Sequence, residues 1–395
     1  MTRTDEEERL AHELARQLLL DAVLEQSSDI HLVPERTDGV VRYRIDGKLQ
    51  EISRHPHRTL SSLLRALKHM ARLDPDVTTS PQGGTLPIDA LGRQYELRVG
   101  TMPTCYGESL TLRLTEPLGD AAVLRAGPAG LGFEGEDLRR LERMFTVPYG
   151  LTIVTGATGC GKTSTIYAGL AWLADQTQGH ISIRTLEDPL ERAIDGVIQT
   201  AVDAAGDFNY VQGIKAVLMN DLDALYCGEI PNAETARLLL QTALTGHRVI
   251  SQLHAPDVAA ALTRLRELVE QPYLIGMGLA GVAAQRLVRR LCPGCRITQQ
   301  APARWQDRLE TDQIWGPGRC DKCRQTGYRG RTVVAETVPG DDETVCHAVS
   351  RGMATEDLRA LLREQGYRSL EQHAMTLVAD GVTSLEEAVR VAFTA

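Results

Sequence analysis

Three things are scarce in this chain of 395 residues. The first is basic charge: 43 Lys and Arg stand against 52 Asp and Glu, for a formal net charge of -9 and a pI near 5.6. Nucleic acids are gripped chiefly through their phosphates by lysines and arginines, so no nucleic acid is expected as a partner. The second is apolar length. The longest run, Leu274–Ala284, is about eleven residues, short of the roughly 20 that a membrane-spanning helix needs. The third is a leader: MTRTDEEERLAHELARQ is acidic and amphipathic, without the basic start, apolar stretch and small-residue cleavage site of a secretory signal. The expectation is a protein with no transmembrane segment, made and kept in the cytoplasm. What the chain does have is 43% hydrophobic residues, enough at this length for two or three domains with cores of their own.

The period of the apolar pattern divides the chain. Residues Glu6 to Gln26 read as an amphipathic helix with Leu10, Leu14, Leu18 and Val23 along one face. SDIHLVPERTDGVVRYRIDGKLQEI then alternates apolar and polar positions around Thr37-Asp38-Gly39, the pattern of an antiparallel hairpin, and RQYELRVGTMP and SLTLRLTEP continue it. The Gly-, Pro- and Ala-rich residues 118–133 read as a linker between a small α+β domain, 1–117, and a larger C-terminal part. Beyond them LTIVT, HISIRTL, DALYCG and RVISQLH are short apolar runs separated by helical stretches. That alternation predicts an α/β domain with a largely parallel, buried sheet.

Between the run LTIVT and the helical stretch KTSTIYAGLAWLA lies Gly156-Ala157-Thr158-Gly159-Cys160-Gly161-Lys162-Thr163-Ser164. It fits the phosphate-binding pattern G-x-x-x-x-G-K-[ST] at every fixed position. Its glycines let backbone N–H groups turn toward a phosphate, and the following helix N-terminus favours an anion. Lys162 would reach the β- and γ-phosphates of ATP, and Thr163 would hold Mg²⁺. Phosphoryl transfer also needs carboxylates at the strand ends facing that loop. Glu187 and Asp188 end one apolar run and Glu229 another, while His254 closes a third, where a polar side chain can sense a γ-phosphate.

The cysteines carry a separate message. Cys292-Pro-Gly-Cys295 and Cys320-Asp-Lys-Cys323 have the spacing of a closed four-thiolate Zn²⁺ site, which is structural because it leaves no position for substrate. Cys105, Cys227 and Cys346 read as packing residues. Cys160 sits in the phosphate loop, where a helix N-terminus can lower a thiol pKa, and redox sensitivity there is the lesser of its two readings.

DALYCGEIPNAETARLLLQTALTGHRVISQLHAPD followed by VAAQRLVRRLCPGCR resembles the ATPases of type II secretion and type IV pilus assembly, the GspE/PilB type. SDIHLVPERTDGVVRYRIDGKL, LRVGTMPTCYGESLTLRL, TLEDPLE and TGYRGRTVVAE extend the likeness over nearly the whole chain. The resemblance implies a cytoplasmic ATP hydrolase at the inner-membrane periphery. It would work as a homohexamer on a polytopic platform protein and, through it, on pilin-like subunits. It implies a RecA-like core over 134–290, a tetracysteine zinc subdomain over 291–335 and a helical region over 336–395. Glu187 falls in the family's acidic box, Glu229 in its Walker B segment, and His247 and His254 in its histidine box, with base and metal duties of the two glutamates unassigned. Arg98 and Arg113 fall where the family supplies arginines to a nucleotide from outside the core. Taken alone they are strand arginines.

The chain also departs from the pattern. It reads Leu218-Met219-Asn220-Asp221-Leu222-Asp223 where the family usually has L-R-x-D-P-D, and Gly228-Glu229-Ile230-Pro231-Asn232 where it has G-E-I-R-D. Those losses leave open a catalytically weak or regulatory ring as an alternative to the motor. A conjugation-type traffic ATPase is a third reading, against which the tetracysteine set argues. The first helix leads almost directly into SDIHL, so a short member without the extra N-terminal docking domain is expected.

Overall fold

The computed structural model describes residues 3–115, 126–203 and 206–393, and the chain divides into two compact units, Met1–Leu118 and Gly119–Ala395. The first unit has helices α1 (Arg3–Leu24) and α2 (His57–Met70) and strands β1 (Asp29–Pro34), β2 (Gly39–Ile45), β3 (Lys48–His55), β4 (Gln82–Ala90), β5 (Arg93–Thr104) and β6 (Gly107–Thr115). The strands form one antiparallel sheet in the order β3-β2-β1-β6-β5-β4, and β1 and β2 make the hairpin expected around Gly39. Its core joins Leu18, Leu19 and Val23 of α1 and Leu63 and Leu67 of α2 to Ile30, Leu32, Leu97 and Leu112 of the sheet. The buried stripe of α1 is Ala11, Ala15, Leu18, Ala22, spaced by three and four residues. Leu10, expected on that face, is 54% exposed instead. The small alanines let the helix approach the core, and Leu10 falls just outside their stripe.

The second unit carries the parallel sheet. Its strands are β7 (Gly150–Thr155), β8 (Ile183–Glu187), β9 (Ile198–Ala201), β10 (Ala224–Cys227), β11 (Arg248–Leu253), β12 (Leu279–Leu291), β13 (Ile297–Gln300), β14 (Gln313–Gly316) and β15 (Tyr328–Pro339). Seven of them run in the order β15-β12-β7-β11-β10-β8-β9. All neighbours from β12 to β9 are parallel, and β15 is antiparallel to β12. Every residue of β7 and β10 is buried, as strands covered on both faces require. The helices are α3 (Gly135–Thr146), α4 (Lys162–Gln176), α5 (Tyr210–Val217), α6 (Ala233–Leu244), α7 (Val258–Leu268), α8 (Tyr273–Gly278), α9 (Ala303–Leu309), α10 (Glu343–Ser350), α11 (Thr355–Glu364), α12 (Leu370–Ala379) and α13 (Leu385–Ala392). Side-chain caps set several starts: Asn209, Asn232 and Asp257 accept from the first-turn amides of α5, α6 and α7.

Two boundaries differ from the sequence reading. Part of the expected linker, Gly127–Leu131, is a short 3-10 helix. Gly127 packs so tightly on Trp172 of α4 that a Cβ there would lie 2.8 Å from the indole. The linker residues 116–125 lie outside the described residues. At the other end the sheet claims residues through Pro339, the first four of the expected helical region, because Thr332–Val338 is a continuous buried run that completes the sheet on β12.

A phosphate loop, its strand ends and a cysteine cluster

The phosphate loop leaves β7 after Thr155 and enters α4 at Lys162. Parallel strands present their carboxyl ends on one side of a sheet, so the residues that end β7, β8, β10 and β11 gather on the side where open α/β sheets bind ligands. Thr155 fixes the departure point. It is fully buried, its hydroxyl donates to the Leu253 carbonyl at 2.8 Å, and it accepts from the Ala255 amide at 3.0 Å. Gly156, at φ 148°, must be glycine, because a Cβ there would lie 2.4 Å from the Gln285 carbonyl and 2.5 Å from Cys160 Sγ. Lys162 is buried, and its Nζ donates to the carbonyls of Gly156 (2.9 Å) and Ala157 (3.1 Å), with His254 Nδ1 at 3.5 Å. Burial holds the Lys162 ammonium below its usual pKa. Its stem is therefore already folded over the loop.

The Thr163 hydroxyl accepts from Gln252 Nε2 at 3.3 Å, and the same amide nitrogen donates to the Tyr226 hydroxyl at 2.5 Å. Tyr226 lies edge-on to Tyr167 of α4, centroids 6.4 Å apart. The Tyr167 hydroxyl donates to Glu187 Oε2, whose other oxygen accepts from Thr185 Oγ1 (2.5 Å) and Gln199 Nε2 (3.0 Å). Glu187 is thus buried with both oxygens engaged. Glu229, two residues past β10, is half-buried and its carboxylate has no hydrogen-bond or ion-pair partner among the described residues. Its backbone is pinned on either side: Gly228 donates to Leu186 (2.8 Å) and Ile230 to Gln252 (3.1 Å). The structure thus brings Lys162, Thr163 and His254 to one loop and places the two glutamates on neighbouring strand ends in different states. Gln252, Tyr226, Tyr167, Gln199 and Gln285 belong to this region too, and the sequence pattern assigned none of them a role.

His247 lies apart. It precedes β11, whose six residues at about 3.3 Å each separate it by roughly 20 Å from His254 at the other end, and its Nδ1 lies 3.2 Å from the Thr242 carbonyl and 3.2 Å from the Thr245 hydroxyl. Arg98 and Arg113 sit in the first unit, directly opposite each other on β5 and β6. Arg113 Nε donates to Asp29 at 2.9 Å, and although burial raises the Asp29 carboxyl, Arg113 and Ser28 outweigh it and hold it below its usual range. One cysteine expectation is corrected. Cys105 is exposed at the β5–β6 turn and not a packing residue, since a two-strand turn has nothing above it. Cys160 is buried, and burial pushes its thiol up, outweighing the Lys162 charge, which weighs against the redox-sensitive reading. The departure at Asn232 is a helix cap: its side chain accepts from the Thr235 amide (2.9 Å) and hydroxyl (3.0 Å), while Met219 is 88% exposed.

Cys292, Cys295, Cys320 and Cys323 converge between the end of β12 and the start of β15, all four sulfurs within 4.8 Å of one another. Three separations are 3.8, 3.6 and 3.7 Å. Four sulfurs tetrahedral about zinc at about 2.3 Å stand about 3.8 Å apart, so these residues fit that ion as they are. The Gly327 amide donates to Cys323 Sγ at 3.2 Å, the kind of contact that steadies a thiolate ligand.

A phosphate loop on a parallel sheet, with its lysine seated and carboxylates on the adjacent strand ends, defines a P-loop nucleoside triphosphatase. The family described as T2SSE, Type II/IV secretion system protein, matches residues 4–390. The chain belongs to that family of secretion and pilus-assembly ATPases. The type II secretion system protein HxcR of Pseudomonas aeruginosa is 38% identical to it over 95% of this chain and 76% of its own length. Type IV pilus assembly ATPase TfpB of Acinetobacter baylyi is 38% identical over 94% of this chain and 64% of its own. Among solved structures, the ATPase DotB of Legionella pneumophila shares the fold with a TM-score of 0.68 at 18% identity, covering 94% and 93% of the two chains. So does the pilus retraction motor PilT with bound ADP, with a TM-score of 0.59 at 18% identity and 95% of each chain covered. Among the described residues, no helix is long and apolar enough to cross a membrane.

Proposed function

We propose that the chain binds ATP at Gly156–Ser164 and hydrolyses it to drive assembly of type IV pilus or type II secretion pseudopilus subunits. The observation that carries this reading is the convergence of Lys162, Thr163, His254, Glu187 and Glu229 on the carboxyl ends of adjacent parallel strands. Loop amides and the α4 N-terminus would take the phosphates, and Lys162 would exchange the Gly156 and Ala157 carbonyls for phosphate oxygens of higher charge. The Thr163 hydroxyl and the Glu229 carboxylate, unpartnered among the described residues, are hard oxygen donors that suit Mg²⁺. Bound there, the ion would neutralise phosphate charge. Glu187 is pre-set as an acceptor by three donors and the Glu229 carboxylate has no partner among the described residues, so the two play different parts in orienting water and metal. His254, beside Lys162, senses the γ-phosphate position.

Arg98 and Arg113, held as a cross-strand pair, would supply positive charge to a nucleotide. Within a homohexamer the ring would act on a polytopic inner-membrane platform protein and, through it, on pilin-like subunits, from the cytoplasmic side. Zn²⁺ at the cysteine cluster would be structural. The test is phosphate release with Mg²⁺ by wild type, Lys162→Ala, Glu187→Gln and Glu229→Gln, with and without the platform protein's cytoplasmic part. Wild type no faster than Lys162→Ala would replace the motor by a regulatory ring.

A further inference from the structure

The phosphate loop rests on β12, the strand beside β7, and one side chain of that strand is hydrogen-bonded to the loop backbone. In the parallel pairing of β12 with β7 the last matched pair is Ala284 with Thr155. Gln285 is therefore the first β12 residue beyond the point where the loop turns away. Gln285 is 1% exposed. Its Nε2 donates to the Cys160 carbonyl at 2.8 Å. Gly161, at φ 88°, lies close above: a Cβ there would come 3.3 Å from Gln285 Nε2.

A trans peptide is planar, with its C=O and N–H on opposite sides. Fixing the Cys160 carbonyl down onto β12 therefore turns the Gly161 N–H to the other side of the loop, where a phosphate is cradled. It also removes from that cradle a carbonyl oxygen that would repel an anion. Anion binding by a loop of this kind depends on its N–H groups pointing inward together. A single reversed peptide replaces a donor by an acceptor.

The other end of the same amide gives a second, independent observation. Gln285 Oε1 is buried with no hydrogen-bond partner among the described residues. An orphaned buried carbonyl is destabilising, whereas methionine has the same reach and no polar atom to leave unpaired. The amide at this position is thus poorly explained as a stabilising core residue. It is well explained by what its nitrogen does to the loop.

We propose that Gln285 is a positioning residue for the nucleotide: it latches the Cys160–Gly161 peptide from beneath, so that the Gly161 N–H faces the diphosphate moiety of a bound nucleoside di- or triphosphate. The proposal rests on reading residues 156–163 as the phosphate loop. The experiment uses the full chain and its variants Gln285→Met, Gln285→Asn and Lys162→Ala. ADP affinity is measured with and without Mg²⁺, and thermal unfolding without nucleotide. Gln285→Met loses ADP affinity about tenfold, as for one buried hydrogen bond, in both conditions. Its nucleotide-free unfolding temperature equals or exceeds that of wild type, because the orphaned oxygen goes with the amide. Gln285→Asn, too short by one methylene to reach the Cys160 carbonyl, loses affinity similarly. In turnover both raise KM for ATP more than they lower kcat.

ADP affinity within twofold of wild type in both Gln285 variants, with Lys162→Ala weakened, overturns the latch. A loss of affinity that merely tracks a fall in nucleotide-free stability overturns it in favour of general packing. Lys162→Ala binding like wild type removes the phosphate-loop reading itself.

Discussion

Replacing Cys320 with serine removes one of the four sulfurs gathered at the β12–β15 end, and the structure sets the size of the effect. Cys292 and Cys320 are 28 positions apart. Tying the ends of a loop that long withdraws about 3.6 kcal/mol of chain entropy from the unfolded state at room temperature, by the relation used for disulfides. A zinc-filled cluster should therefore stabilise the second unit by roughly 3.5 kcal/mol, and in a unit of this size each kcal/mol moves the midpoint by about 2 °C, for a total near 7 °C. The loss should be local at first. Cys292 N–H donates to Gly327 (2.9 Å), Arg296 donates to the Gly381 carbonyl (2.8 Å), and its guanidinium lies 4.4 Å from the Trp315 ring centroid. Loosening should spread from residues 292–328 to the turn after α12 and spare the phosphate loop. The assays are metal content of native protein, thermal unfolding with and without chelator, and hydrogen exchange by segment. Wild type purified without chelator and carrying no zinc would refute the reasoning, as would Cys320→Ser unfolding within about 1 °C of it.

Two further outcomes are expected. Arg98→Ala and Arg113→Ala each leave ATP binding within about tenfold of wild type and lower turnover by at least ~10²-fold, because such arginines meet charge that develops in the transition state; unchanged turnover in an intact assembly, checked by sedimentation, would remove both from the site. Glu387 links α13 to β12 by accepting from Arg289 (2.8 Å), and it also accepts from Arg390 on its own helix (2.7 Å). Burial pushes its carboxyl up, but Arg390 and Arg289 outweigh this and hold it down at about 2, against an ordinary 4.5. A depressed carboxyl stabilises fully above its unfolded value and loses that contribution as pH falls through its folded one, so about 3 kcal/mol should disappear between pH 4.5 and 2. Urea unfolding of wild type and Glu387→Gln at pH 7 and pH 3 checks this, and equal pH dependence in the two would show the pair is idle.

The sequence carried the parts of this protein that depend on local pattern. LTIVT had to be a buried strand and KTSTIYAGL a helix. The glycines between them admit a backbone that other residues resist, so the phosphate loop was legible from the chain alone. The cysteine pairs were legible for the same reason, since two C-x-x-C turns need only their chain ends brought together. The hairpin at Gly39 and the parallel character of the second sheet likewise come from period and composition. Leu10 was misplaced because Ala11, Ala15 and Ala22 contribute little to an apolar count yet define the buried stripe.

What only the tertiary structure decided is which side chains meet across strands that are distant in sequence. Gln285 reaches Cys160 across 125 positions and Gln252 reaches Thr163 across 89. Neither glutamine belongs to a periodic pattern, because a single amide has no period. The two glutamates look alike as letters at strand ends. The fold distinguishes them by closing Tyr167, Thr185 and Gln199 around Glu187 and leaving Glu229 with no partner among the described residues. It also separates His247 from His254 along the length of one strand. Propensity and spacing act over a few residues and so can be read along the chain. Hydrogen-bond direction and burial depend on strand order and register, and these exist only once the sheet has formed.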